Sequence, residues 1–434
     1  MPLHADGYIS MFRLQNGRAD YRGRFVRTER LVANRQLGRS RFGRYRNRST
    51  DDEDVRNVDA SAANTTPFAF AGRLFALKED ALPYEIDPVT LATLGRFDFG
   101  GGFRSLTFTA HPKVDGETGE LIAYGYEATG PLSDDLFVYV IAPDGAVRRE
   151  VRVKLPYLAM IHDIAITKNH ILLPLVGFST SAEFLAAGGP HWAWDRARPS
   201  HIGVMRRDGD GSDLRWFTGP LACMLHTFNA FEDGEGRIVM DAPFYKANPF
   251  PFFSNLDGSP WEPSGHTAHV RRLTFDLASA SDGWTEEVLF PEVIGDLGVI
   301  DPRRIGHRHR YCFAGFDDPA QPRWDASTPR PPWPIANSYA RFDLEARTVS
   351  RLYAGANRGL DECCFIPRSP DAREGEGWLI GVATDYSGGS ELLVADAEKL
   401  DAGPLARVRL PFRVGPQVHG SWIAAGATPL PPIG

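Results

Sequence analysis

Short runs of alternating apolar and polar residues recur along the whole chain, each cut off by a cluster of turn-forming residues. RLFALKE, ELIAYGYE, LFVYVIA, VRRLTFDL, SYARFDLE, WLIGVATDY and ELLVADAE are of this kind, with APDGAV, EDGEGR and YSGGSE among the breaks. Period-two alternation puts side chains on opposite faces of an extended strand, and Gly, Asp, Asn and Pro supply the backbone conformations of tight hairpins. Helical periodicity is scarce. The clearest candidate is the short piece around SAEFLAAGG, whose glycines suit a helix C-cap. At 434 residues the length allows two or three domains, but no convincing linker divides it, and large all-β folds use such a length as one unit. Evenly spaced short strands over this length favour a β-propeller, because radial repetition consumes many strands without one oversized sheet. The expectation is an all-β propeller built as one domain over residues 1–434.

Bulk properties narrow the function classes. Hydrophobic residues make up 43% and charged residues 24%, a balance that supports a substantial core. The formal net charge of -7 gives no average attraction to nucleic acid or to an anionic membrane surface. No apolar stretch is long enough for a membrane helix, and MPLHADGYISMF lacks the basic start and apolar run of a signal peptide. Cys223, Cys312, Cys363 and Cys364 are too few for a disulfide framework, and two of them are neighbours with poor geometry for a mutual bridge. A cytoplasmic protein is expected. Arginines recur between Arg13 and Arg48, with the acidic run Asp51 to Asp54 close behind, as a nucleic-acid reader could show. They alternate with Leu, Tyr, Phe and Val, as in YRGRFVRTERL, which reads as half-exposed strand and excludes nucleic acid from the expected partners.

Of twelve histidines, four sit in similar company: His111 ends LTFTAH, His162 lies in YLAMIHDIAIT, His226 in LACMLHTFNAFEDGEG and His419 in VGPQVHGSW. Each follows or lies within an apolar, strand-like segment. Neutral imidazole is the commonest protein ligand for iron and zinc, and in a propeller the inner strands of several blades can bring such residues to the central axis. A buried histidine is more often a hydrogen-bonded core residue, and no local HExxH or CxxC spacing marks these four as a metal site. Their surroundings are more specific. AHPKVDGETGEL, HDIAITKNHILL, HTFNAFEDGEGRIVMD and VHGSW resemble, in order over essentially the whole chain, the four iron-ligand motifs of the carotenoid cleavage oxygenases. NTTPFAFAGRLFALKEDALPYEIDPVTLATLG, GGPHWAWD and DECCFIPR add to the resemblance.

That resemblance implies a seven-bladed propeller, capped by loops and short helices, with Fe(II) held on its axis by His111, His162, His226 and His419. It also implies carboxylates that accept the second ring N–H of three ligands, which fixes tautomer and orientation. Glu79 in LKED and Glu362 in DECCF match two of them, and Asp296 in GDLGVIDPRR stands where the family has glutamate. The implied pairs are Glu79 with His162, Asp296 with His226, and Glu362 with His419. HADGYISMFRLQNG stands where the family has HxFDGDGM, and members usually carry a further strand before that point, so part of the closing blade is expected to be missing.

Lys78, immediately before Glu79, sets the branch: carotenoid-cleaving members generally have an uncharged residue there, whereas this chain resembles the lignostilbene dioxygenases, which also share the tyrosine of FGRYRN, here Tyr45. A lysine ammonium suits a para-hydroxyphenyl group, because it can hydrogen-bond the phenol oxygen and stabilise phenolate; lysine and phenol titrate close together, near about 10. A polyene would leave a buried ammonium unpaired at considerable cost. The bland alternative is a surface lysine paired with Glu79 or Asp80. The resemblance thus implies cleavage of the central alkene of 4-hydroxystilbene-type compounds by O2 into two aldehydes, with Tyr45 and Lys78 as catalytic residues. The expected partners are a small aromatic alkene and O2, with a homodimer as the assembly if the chain self-associates. No organic cofactor is implied, and GGGF at Gly100 to Phe103 lacks any nucleotide-binding context and reads as a turn. An apocarotenoid-cleaving oxygenase and a non-catalytic binding propeller are the competing readings.

Overall fold

Strands come in antiparallel sets of four, laid down in chain order. The computed structural model describes residues 2–263, 267–322, 324–325, 328, 335–415 and 417–426. Among them are six four-stranded sheets, over 66–96, 113–154, 165–219, 229–288, 295–353 and 358–410, here called blades 1 to 6. Alternating runs of the sequence become their middle strands: Leu121–Tyr126, Ala268–Phe275 and Ser390–Asp396, for example. The middle strands Leu121–Tyr126 of blade 2 and Ile238–Tyr245 of blade 4 are buried at every position, whereas the outermost strand Thr285–Val288 is exposed throughout. A middle strand is covered on both faces by neighbouring blades, which selects near-continuous apolar runs over strict alternation.

The core lies between blades. Phe75 and Leu77 of blade 1 pack with Phe137 and Tyr139 of blade 2; Leu172 and Phe217 of blade 3 pack with Met240 and Phe275 of blade 4; Phe313 of blade 5 packs with Leu379 and Leu393 of blade 6. Each blade covers the next, the arrangement of a β-propeller.

The expected blade count needs correction. Where a seventh blade would stand there is a two-stranded hairpin, β1 (Tyr8–Gln15) and β2 (Arg18–Phe25), and no other strand pairs with it among the described residues. Asn16 and Gly17, with φ of 51° and 74°, form its two-residue turn, as the right-handed twist of hairpins demands. Ile9 and Met11 pack on blade 1 beside Leu74 and Tyr84. On the other side, Gln417 donates from Nε2 to Ser10 Oγ at 2.9 Å, and the Tyr21 and Phe412 rings meet at 5.2 Å. The hairpin therefore bridges the first blade and the segment after the last.

The arginine-rich stretch is strand only as far as Phe25. From Glu29 it becomes helix α1 (Glu29–Leu37), because Thr28 caps it by accepting from Leu31 N and Gly38 ends it in the left-handed conformation. Helix α2 (Ala182–Ala186) matches the expected short helix, and the Gly100 to Phe103 run is a turn. The segment carrying α2 and the segment after Tyr245 pack Phe178, Trp192, Trp194 and Phe253 over Met160, Ile161 and Leu225. These cover one end of the ring, directly beside two of the histidines. The Pro-rich stretch 319–334 is only partly among the described residues, and the tail after 426 lies outside them.

Candidate metal centre and substrate cavity

His111, His162 and His226 each stand two or three residues ahead of the innermost strand of blades 2, 3 and 4, which begin at Lys113, Ala165 and Asn229; His419 follows blade 6. An apolar run brings the chain to the axis, and the histidine is the residue left facing it. The four rings meet edge to face, with centroids 4.5 Å apart for His111 and His419, 4.6 Å for His111 and His162, and 4.9 Å for His226 and His419. One nitrogen from each lies within 4.8 Å of the others. The Nε2 atoms of His111, His226 and His419 are buried and have no hydrogen-bond partner. Unpartnered buried polar atoms are rare because each carries a desolvation cost, so lone pairs converging in this way fit a metal ion. Burial, followed by the charges of the other three imidazoles, pushes His111 well below the ordinary histidine pKa, which keeps it neutral as a ligand must be.

The three carboxylates fall where the resemblance implies. Glu79 Oε2 is 2.7 Å from His162 Nδ1, Asp296 Oδ1 3.1 Å from His226 Nδ1, and Glu362 Oε1 3.0 Å from His419 Nδ1. Asp296 reaches despite its shorter side chain because it lies at an irregularity in the pairing of blade 5, where Leu297 takes a positive φ of 57°. Its second oxygen accepts from Tyr245 OH at 2.7 Å, and Leu297 N donates to the first at 2.8 Å. Burial opposes the charges on Glu79 and Asp296, yet their imidazole partners hold both below the ordinary carboxylate range. No carboxylate hydrogen-bonds His111 among the described residues.

A cavity of about 1860 Å³ is lined by His162, His226 and His419 and also by Lys78, with Phe250, Phe252 and Phe253 in its wall and, on the hairpin side, Met11 and Phe12. Lys78 is 5% exposed. That removes the surface-lysine alternative, and among the described residues it makes no ion pair. Its Nζ donates to Asn64 Oδ1 at 2.7 Å and sits 5.1 Å from the centroid of the Tyr45 ring. Burial pushes its pKa below the ordinary lysine value, with Asp80 and Glu79 pulling the other way.

Tyr45 and Lys78 are thus adjacent, but the tyrosine presents its ring face rather than its hydroxyl. That hydroxyl is buried without a partner, and Tyr45 lines a separate hollow of about 230 Å³ with His4 and Pro190 instead of the large cavity. It is held there by a buried cluster: Arg46 pairs with Glu127, Glu127 with His191 Nε2 at 2.7 Å, and His191 N donates to Tyr45 O at 3.0 Å. Asn64, Tyr245 and this cluster escape a reading of the sequence. Asn64, Arg46 and His191 lie inside the NTTPF, FGRYRN and GGPHWAWD strings, but those strings assign them no role.

The chain is similar to known proteins over nearly its whole length. The model of the RPE65 family (retinal pigment epithelial membrane protein) matches residues 1–424. An isoeugenol monooxygenase of Pseudomonas putida is 38% identical over 421 residues, 97% of this chain and 87% of that protein. Lignostilbene-alpha,beta-dioxygenase isozyme III of Sphingomonas paucimobilis is 34% identical over 436 residues, 99% and 88% of the two chains. The crystal structure of Pseudomonas brassicacearum lignostilbene dioxygenase superposes with a TM-score of 0.90 at 36% identity, covering 96% of this chain and 86% of that one. The chain therefore belongs to the RPE65, or carotenoid oxygenase, family, on its lignostilbene-dioxygenase-like branch, and is an oxygenase that cleaves carbon–carbon double bonds.

Proposed function

We propose that this protein is a non-haem Fe(II) dioxygenase that cleaves the central alkene of 4-hydroxystilbene-type, lignostilbene-like compounds. One observation carries the reading: a single cavity is lined both by histidines whose imidazole nitrogens lack partners and by a buried ammonium that has no ion-pair partner among the described residues. His111, His162, His226 and His419 would hold the iron, with Glu79, Asp296 and Glu362 fixing three of the rings. Iron bound there would supply the electrons that activate O2.

The remaining work falls to the cavity wall. Lys78 donates to the phenol oxygen and stabilises phenolate, so electron density moves through the conjugated ring into the alkene. Asn64 holds the ammonium in place, and the Tyr45 ring face supports its charge as a cation–π partner. Phe250, Phe252 and Phe253 keep water from the apolar body of the substrate. Overall the alkene and one O2 give two aldehydes, each carbonyl taking one oxygen atom. The relatives named for isoeugenol and lignostilbene support a phenolic alkene, since both names denote hydroxylated aryl alkenes. The reading extends to a single catalytic domain over 1–434, a cytoplasmic location consistent with four free cysteines, and a homodimer if the chain associates.

Aerobic incubation of iron-reconstituted protein with 4-hydroxystilbene, resveratrol and a long apocarotenal, with products identified by mass spectrometry, tests it. Paired hydroxybenzaldehyde-type products are expected. Cleavage of the apocarotenal alone would overturn the substrate class and keep the iron. No aldehyde from any of them and no bound iron would favour a non-catalytic propeller.

A further inference from the structure

Outside the carboxylates already described, one buried acidic side chain touches three of the four histidine-bearing segments at once. Asp163 is next to His162, and its side chain is 1% exposed. Lys113, two residues after His111, places Nζ 2.8 Å from Oδ1 and 3.0 Å from Oδ2. Thr227, next to His226, donates to Oδ2 from its backbone N at 2.8 Å, and its Oγ1 lies 2.9 Å from both Oδ2 and Ile164 O, which share its one proton. Ile164 N donates to Oδ1 at 2.8 Å. A carboxylate accepts about four hydrogen bonds, so this one is saturated, and its charge is compensated by a single ammonium.

The arrangement matters most for His111. The other three imidazoles are each oriented by a carboxylate on Nδ1, whereas His111 has none, and locally only its backbone N is tied, to Thr109 Oγ1 at 2.8 Å. The segment just after it is held in blade 2 by the pairing of Lys113 and Val114 with Ile122 and Leu121, and across to the His162 segment by the Lys113–Asp163 pair. The His162 segment is also tied to blade 2 from the strand Leu121–Tyr126, where Tyr124 OH lies 2.9 Å from His162 O and 3.0 Å from Ile161 O. Asp163 is thus attached to a firm segment and transmits that position to two others.

We propose that Asp163 is a positioning residue for the metal centre: by binding Lys113 and Thr227 it fixes the His111 and His226 segments against His162, standing in for the carboxylate His111 lacks. This rests on the four-histidine reading above. The test compares wild type with Asp163→Asn, Lys113→Met and Thr227→Val, all loaded with Fe(II) and, separately, with Co(II). Partners of this kind typically change metal affinity by about 10- to 100-fold. Asp163→Asn should release Fe(II) to bipyridine faster by about that factor, shift the visible Co(II) absorption bands, and lower kcat while leaving KM unchanged. Lys113→Met and Thr227→Val should move the same readouts in the same direction, Thr227→Val least. Should Asp163→Asn fail to fold, Thr227→Val, which replaces one hydroxyl by a methyl, carries the test. Folded variants with wild-type release rates and unchanged Co(II) bands would overturn the proposal. Wild-type protein that takes up neither metal would overturn the four-histidine reading beneath it.

Discussion

The two ends of the large cavity are incomplete in opposite electrical senses. At the axis, the buried Nε2 atoms of His111, His226 and His419 have no hydrogen-bond partner, and carboxylates on the far side of the His226 and His419 rings raise the basicity of those two. At the Lys78 end, a buried ammonium donates to a neutral amide and faces an aromatic ring, with no ion-pair partner among the described residues. One end is prepared for a cation and the other for an anion or a strong acceptor. On the proposed function, the difference separates two specificities: the metal would be chosen by the imidazole cluster, and the substrate by a lysine with no ion-pair partner among the described residues.

The largest effect should come from breaking the first end. His226→Ala removes one converging nitrogen and leaves Asp296 without its imidazole partner. Metal analysis of the reconstituted variant should find no iron, and cleavage should vanish with it. A fully loaded, active variant would take His226 out of the ligand set and leave the contrast between the two ends without its metal side.

Breaking the second end should leave the first untouched. Lys78→Met should keep full iron content and lower kcat/KM for 4-hydroxystilbene by about 10- to 100-fold, the worth of one charge-assisted hydrogen bond. Unsubstituted stilbene should be a poor substrate for both proteins, so equal rates for the two substrates in the wild type would remove the phenolate role. The pH dependence has a definite sign. Burial lowers the Lys78 pKa in the folded state, so the folded protein gives up this proton more readily than the unfolded chain does. Its charge therefore destabilises the free protein below that lowered pKa, and stability from this group rises with pH up to the ordinary lysine value, about 10.4. Lys78→Met should be more stable than wild type at neutral pH, and urea titrations at two pH values would show the gap closing as pH rises.

What was legible in the sequence follows from range. Strands, hairpin turns and the capping pattern of α2 are set by residues a few positions apart, and they stand where the alternation put them. The four histidines and their carboxylates were legible through ordered local strings. The partners that complete the site join residues far apart: Tyr245 to Asp296 across 51 positions, Asp163 to Thr227 across 64. Asn64 and Lys78 face each other across 14 positions because Thr66–Phe70 and Arg73–Leu77 pair as a hairpin, yet nothing in NTTPF marks the asparagine as a lysine partner. Helix α1 was hidden because its cap, Thr28, follows a genuine strand without a break in the arginine pattern. The seven-blade count came with the resemblance, together with the expectation of an incomplete closing blade; the described residues form six four-stranded blades and a hairpin, and only strand pairing distinguishes a hairpin from a full blade.

The smallest expected effect sharpens the second end most. Tyr45 touches the ammonium with its ring, while its hydroxyl is buried with no partner. Burial also pushes that hydroxyl well above the ordinary tyrosine pKa, so it stays a neutral group. Tyr45→Phe keeps the ring face and deletes an unsatisfied O–H, which should stabilise the fold by about 1 kcal/mol. Turnover of 4-hydroxystilbene should change by less than about threefold, since a cation–π contact of about 1 kcal/mol is largely retained. Tyr45→Leu, which loses the ring face, should fall further while keeping its iron. A tenfold or greater loss in Tyr45→Phe would mean that the hydroxyl turns to the substrate on binding. Lys78 would then share the phenol oxygen with a second donor, and the phenolate would be held at two points instead of one.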